Sequence, residues 1–220
     1  MTIPLSKKDL DILEERGYWK ASSSLHKKIK RLIRKKLPIE IGYIKEAHSI
    51  IFNESNQSGI AGKYRQDNPE VKRIDGTLLD ISHWHDIPRK MAEFDFELKQ
   101  NTKNLVLPQT EKEYSEIINL SARLSHKLAC VHPFENGNGR SSRLLMGAIL
   151  LRAGLSDISI RKSKPGYLRA MIQADGGDYS LLEEIIADGL TENSRKKHEL
   201  QLRKQAELSK TKHKKSKKYT

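Results

Sequence analysis

From Glu111 to Arg152 the apolar residues recur at helical spacing, with one interruption at Gly137-Asn138-Gly139. Before it, Ile117, Leu120, Leu124, Leu128 and Val131 share one helix face. After it, Arg140 to Arg152 is strongly apolar and stops before Gly154, a natural C-cap. Two helices joined at a glycine turn, each with an apolar face to bury, predict a mainly α fold. The same periodicity marks Leu25, Ile29, Leu32 and Ile33 up to a break at Pro38, then Ile39–Asn53, Asp86–Gln100, Lys164–Ala174 and Tyr179–Leu190. Strands are plausible only over Lys63–Gly76. There Val71, Arg73 and Ile74 stand between Asn68-Pro69 and Asp75-Gly76, which could frame a small β-hairpin lying on the helices.

Charge divides the 220 residues into three. Residues 18–39 hold eight basic and no acidic side chains, and 195–220 hold eleven basic and two acidic, around a slightly acidic middle. The expected organisation is a basic helical extension over 1–39, one helical domain over 40–194, and a basic C-terminal tail over 195–220 whose aliphatic residues end at Leu208. The basic ends allow a nucleic-acid contact. No apolar run approaches the ~18–20 residues of a membrane span, and no signal sequence opens the chain. A single cysteine, Cys130, excludes an internal disulfide and fits a reducing, cytoplasmic setting.

The stretch from His132 to Arg143 carries the chemistry. Gly137 and Gly139 free the backbone for positive φ and let a ligand approach bare main chain. Successive N–H groups opening onto a helix N-terminus make a concave anion site. Arg140 and Arg143, three residues apart, share a helix face and can fork onto phosphate oxygens. His132 stands at the turn with a pKa suited to taking a proton from an attacking hydroxyl. Each feature alone has a bland structural explanation, but their joint occurrence within twelve residues describes phosphoryl or nucleotidyl transfer.

His132-Pro133-Phe134-Glu135-Asn136-Gly137-Asn138-Gly139-Arg140-Ser141-Ser142-Arg143 resembles the signature of the Fic domain family, His-Pro-Phe-x-(Asp/Glu)-Gly-Asn-Gly-Arg-x-x-Arg. Gly62-Lys63-Tyr64-Arg65 looks like the Gly-x-Tyr-Arg that precedes the family's flap, and Gly177-Asp178 like the Gly-Asp before its closing helix. The resemblance implies a Fic-type helical bundle with a small β-hairpin flap. It also implies transfer of AMP from ATP to a Ser, Thr or Tyr hydroxyl of a target protein, with Mg²⁺ on the nucleotide. Carried over residue by residue, His132 would be the general base and Phe134 would anchor the loop. Gly137, Asn138 and Gly139 would cradle phosphates through backbone and amide donors, and Arg140 and Arg143 would bind phosphate. Val71, Lys72, Arg73 and Ile74 would dock the target segment, and Tyr167 and Asp175 would border the base.

One position departs from the pattern. Asn136 stands where the family carries the carboxylate that holds Mg²⁺, and offers a neutral, weaker ligand. The alternatives are a metal-impaired or non-catalytic nucleotide-binding module and an enzyme using another nucleotide or phosphate donor. The chain has no convincing copy of the family's inhibitory (Ser/Thr)-x-x-x-Glu-(Gly/Asn) motif, so a separate small antitoxin-like protein supplying a Glu to Arg143 is a further expectation.

Overall fold

The computed structural model describes residues 6–55, 57–158 and 166–193. Its helices are α1 (Lys7–Lys35), α2 (Ile41–Glu54), α3 (Ile87–Thr102), α4 (Glu111–Val131), α5 (Asn138–Arg152), α6 (Tyr167–Asp175) and α7 (180–193), with a short 3₁₀ turn at Trp84–Asp86 ahead of α3. No helix among the described residues is long and apolar enough to cross a membrane. The expected tail, 195–220, lies outside the described residues.

Local chemistry sets the helix ends. The Ser6 hydroxyl accepts from the Asp9 N–H at 3.2 Å to open α1. Thr110 and Glu113 form a reciprocal capping box that opens α4. At the other end of α1, Lys36 turns left-handed, and its N–H and that of Leu37 close back on the Ile33 and Leu32 carbonyls, ahead of Pro38.

The antiparallel α4–α5 hairpin lies between two apolar clusters. Leu124, Leu128, Leu145 and Ile149 face α1, α2 and α3 on one side, with Ile29, Ile44, Ile51 and Phe94. Ile117, Ala122, Met146 and Leu150 face α6 and α7 on the other, with Tyr167, Leu182 and Ile186. Helix α5 is therefore buried nearly all round, which is why its sequence shows little amphipathic contrast.

Helix α1 is a single helix from Lys7, passing through Gly17 and the Ser22-Ser23-Ser24 run. A Cβ at Gly17 would lie 2.6 Å from the Ile51 carbonyl oxygen, so the missing side chain is what lets α1 and α2 approach this closely. Its inner face, Ala21, Leu25, Ile29 and Leu32, is part of the first cluster.

The β-hairpin expected over Lys63–Gly76 is not present among the described residues. A single antiparallel bridge joins Lys72 and Leu78. Arg73 N–H donates to the Thr77 carbonyl and Leu79 N–H to the Val71 carbonyl, each at 2.8 Å. Asp75 closes the turn by accepting from the Thr77 N–H at 3.0 Å. Ile74 and Leu78 are 68% and 55% exposed, so this loop buries too little apolar surface to hold two strands together.

Candidate active site

The α4–α5 turn is held from below by aromatic packing and an unusual histidine. Phe134 is fully buried, its ring stacked on the His48 imidazole at 4.0 Å, and the Phe52 ring also packs against His48 at 4.5 Å. His48 Nδ1 accepts from the Gly62 N–H at 2.9 Å, so Nε2 carries the hydrogen and donates to the Asn136 carbonyl at 2.9 Å. Burial, opposed by the bond to Asn136 and aided by the Arg140 charge, lowers the His48 pKa to about 4. His48 thus acts as a neutral bracket between the loop and residue 62. Its sequence marks it only by its place between Ile44 and Ile51 on the buried face of α2, a polar group there needing partners.

The turn also braces itself. Asn138 spends both ends of its amide on Phe134: Oδ1 accepts from the Phe134 N–H at 2.9 Å and Nδ2 donates to the Phe134 carbonyl at 2.7 Å. Its side chain thus braces the loop, and its main-chain N–H at the start of α5 is turned to no intrahelical acceptor. Gly137 takes φ +80°, and a Cβ there would fall 2.6 Å from the Phe52 ring. The first intrahelical bond of α5 runs from the Ser141 N–H to the Gly137 carbonyl at 2.9 Å. The N–H groups of Asn138, Gly139 and Arg140 precede it and have no intrahelical acceptor.

His132 caps α4 in the left-handed region, φ 52° and ψ 55°. That conformation costs a non-glycine residue energy, and Arg65 holds it in place. The Arg65 Nε–H donates to the His132 carbonyl at 2.7 Å, the Arg65 N–H donates to the Pro133 carbonyl at 2.9 Å, and its guanidinium reaches the Asp67 and Ser82 carbonyls. His132 Nδ1 lies 3.2 Å from the Ala129 carbonyl, which fixes the hydrogen on Nδ1 and leaves Nε2 as the acceptor. Burial, with help from the Arg65 charge, pulls the His132 pKa below its ordinary value, so the imidazole is neutral near pH 7.

The two motif arginines stand differently. Arg140 Nη1 pairs with the buried Glu14 carboxylate of α1, Nη2 lies 3.5 Å from Asn136 Oδ1, and the guanidinium sits over the Phe52 ring at 5.1 Å. Glu14 is held in turn by Gln57, which donates to it at 2.8 Å. Arg143 has no carboxylate partner among the described residues and lies over the Tyr167 ring at 5.7 Å. Glu14 is a site residue that sequence reading missed, because a lone acid on the buried face of α1 does not say that its partner is an arginine across most of the chain.

These groups border one cleft of about 320 Å³. His132, Gly137, Asn138, Gly139, Arg140 and Arg143 line one part of it, together with Tyr167. Val71, Lys72, Arg73, Ile74 and Asp175 line it as well. Arg73 donates to Asp175 Oδ2 at 2.6 Å, so the loop at 71–79 is tied to the end of α6 across the cleft. Tyr167 lies beside Arg143, while Asp175 lies beside Arg73, His126 and Cys130.

The donors at Asn136 do not fit a Mg²⁺ ion. Its Oδ1 accepts from the Gly137 N–H at 2.7 Å and has the Arg140 guanidinium at 3.5 Å, so the oxygen already faces hydrogen-bond donors and positive charge. The neighbouring carboxylate, Glu135, is exposed.

A neutral histidine with a fixed tautomer, set beside helix amides without intrahelical acceptors and an arginine with no acidic partner among the described residues, belongs to the chemistry of phosphate esters. Comparison with known proteins gives the family: the model described as Fic/DOC family matches residues 38–150, and the chain belongs to that family. A protein adenylyltransferase Fic of Nematostella vectensis is 34% identical over 148 residues, covering 67% of this chain and 31% of the relative. The chain thus spans about a third or less of the length of the curated relatives it matches. Among solved structures, a Fic-1 fragment from C. elegans superposes with a TM-score of 0.66 at 19% identity, covering 91% of this chain and 54% of that one. BepC of Bartonella tribocorum, solved with bound AMPPNP, superposes at 0.50 with 19% identity, covering 76% and 86% of the two chains. The fold is the Fic fold.

Proposed function

We propose that this chain transfers AMP from ATP to a Ser, Thr or Tyr hydroxyl of a target protein. The observation that carries this reading is the state of His132: neutral, with Nδ1 turned to the Ala129 carbonyl and Nε2 left to accept a proton at the cleft. The target hydroxyl gives its proton to Nε2 as its oxygen attacks the α-phosphorus. The bond from that phosphorus to the bridging oxygen breaks, and pyrophosphate leaves. The N–H groups of Asn138, Gly139 and Arg140 receive the phosphates at the start of α5, where the helix dipole favours negative charge. Arg143, bonded to the Tyr18 hydroxyl and to no carboxylate among the described residues, has no acid to give up to a phosphate, whereas Arg140 must first exchange Glu14 for the nucleotide.

The names of the relatives and the AMPPNP bound to BepC support ATP as the donor. The loop at Val71–Ile74 remains the candidate docking edge for the target. Its open main-chain groups around a single bridge suit an extended partner segment, which would be read mainly through its backbone. Tyr167 and Asp175 stay proposed as the border of the base. A separate inhibitory protein would act at Arg143, and the basic tail over 195–220 would serve any nucleic-acid contact.

Transfer of label from ATP to protein tests the reading. Incorporation from α-labelled but not γ-labelled ATP, abolished in His132→Ala, is expected. Label arriving only from the γ position would make the enzyme a kinase. No label from any common nucleotide, with ATP still bound, would make it a binding module.

A further inference from the structure

In the same cleft three side chains converge, His126, Cys130 and Asp175, and only Asp175 has another proposed role, at the border of the base. His126 and Cys130 are one turn apart on α4 and so share a face. Asp175 closes the group from the last residue of α6. His126 Nε2 lies 3.0 Å from Asp175 Oδ1, Cys130 Sγ lies 3.4 Å from His126 Nε2, and Cys130 Sγ lies 3.6 Å from Asp175 Oδ1.

This triangle has the dimensions of a tetrahedral face. Bonds of about 2.0–2.1 Å to imidazole and carboxylate and about 2.3 Å to thiolate place the ligand atoms roughly 3.3–3.6 Å from one another. The three observed separations lie within about 0.3 Å of that range. One ion could touch all three atoms with little movement of the side chains. His126 is buried, its ring edge-on to Tyr179 at 5.6 Å, so its orientation is already fixed. The second carboxylate oxygen, Oδ2, is held by Arg73 at 2.6 Å, which leaves Oδ1 turned to the histidine and the thiol. Such an outer partner on a metal-ligating carboxylate is a regular feature of metal sites.

We propose that His126, Cys130 and Asp175 form a three-ligand site for a zinc-class divalent cation, with its fourth position open to the cleft. The thiolate and imidazole select a borderline-soft ion such as Zn²⁺ or Co²⁺ over Mg²⁺ or Ca²⁺, which require oxygen donors. Binding replaces the Cys130 S–H proton with the metal and releases that proton to solvent, with no change of oxidation state. All three ligands line the cleft, so the fourth position is open to water or to a nitrogen or oxygen of whatever occupies it. The ion would pin the end of α6 to α4, and through Asp175 it would fix the anchor point of Arg73 and the loop over the cleft. The site shares Asp175 with the proposed border of the base, and its metal binding can be read whether or not the chain transfers AMP.

Cobalt is the probe. The full chain, stripped with a chelator and dialysed, is titrated with Co²⁺ under anaerobic conditions. One equivalent is expected to give intense visible bands of four-coordinate cobalt and a near-ultraviolet thiolate-to-cobalt band, both erased by adding Zn²⁺. Cys130 is the chain's single cysteine, so the thiolate band reports this site alone. It should vanish in Cys130→Ser, and the Co²⁺ affinity should fall about tenfold or more in His126→Ala and in Asp175→Asn. Absence of the thiolate band in the wild-type chain overturns the proposal without any variant having to fold. So does a band whose affinity is unchanged in His126→Ala and Asp175→Asn, because the thiolate would then be binding metal with other residues.

Discussion

Acid should loosen this protein through His48. The imidazole is fully buried against Phe52 and Phe134, and its Nδ1 accepts the Gly62 N–H. A proton on Nδ1 would set two N–H groups against each other, which is the local reason that charging it is costly. With a folded pKa of about 4 and an ordinary value of 6.5, the unfolded chain takes up the proton first as pH falls. Stability is unaffected above about pH 7, declines between 6.5 and 4, and levels off below, where both states are protonated. Between pH 7.5 and 4.5 the linkage amounts to about 2.5 kcal/mol from this one group. Urea unfolding of the wild type and of His48→Gln at the two pH values isolates it, because carboxylate titrations are shared and cancel. The wild type should lose about 2–3 kcal/mol more than the variant over the interval. Equal losses would show that His48 is charged in the fold or exposed to solvent, and the bracket described for it would be wrong.

Three further outcomes follow from the site. Glu14→Ala removes the carboxylate that competes for Arg140, so ATP binding measured by calorimetry should tighten about tenfold, the worth of one charged hydrogen bond; unchanged affinity would mean that Arg140 does not meet the nucleotide. Gly137→Ala must hold φ +80° with a Cβ 2.6 Å from the Phe52 ring, and should cost about 2–4 kcal/mol in denaturant unfolding; a near-neutral result would contradict the packing of the turn. Asn136→Asp places a carboxylate beside Arg140 and supplies the missing anionic ligand, so Mg²⁺-stimulated incorporation of α-labelled ATP should rise severalfold over wild type. Equal Mg²⁺ stimulation in both would show that the departure at this position has no bearing on metal use.

The parts of the fold that were legible in sequence are those fixed by local period and local caps. The apolar spacing of α4 and α5 and the glycines between them specify the hairpin, and the run from His132 to Arg143 specifies the family signature. What was not legible depends on residues distant in the chain. Gly17 and the serine run argue against a continuous α1, and the helix passes through them because Gly17 meets Ile51 of α2 and its inner face is buried. The hairpin expected over Lys63–Gly76 had suitable turn residues, but Ile74 and Leu78 stay exposed and bury too little surface to hold it. Asn138 shows what a motif read by position leaves out: its amide also bonds Phe134 at both main-chain groups and so braces the turn. Glu14 and His48 were visible only as a charged and a polar residue on otherwise apolar helix faces, which signals a partner without naming it.

The described cations of the cleft are not equally free, and this shapes how a ligand enters. Arg140 is paired with Glu14, and Arg73 with Asp175, while Arg143 has no acid beside it among the described residues. A polyphosphate reaching the start of α5 therefore finds one available guanidinium and must displace a carboxylate to engage the second. Its net gain is the difference between two charged contacts rather than the full worth of one. Opening the loop at 71–79 likewise requires parting Arg73 from Asp175. Occupation of the cleft and release of its two ion pairs are thus coupled steps, and the acids that hold the arginines set the ligand concentration at which the cleft fills. One of those acids belongs to α1, outside the stretch matched by the family model, so the first helix of the chain helps set the properties of a site whose recognisable motif lies more than a hundred residues away.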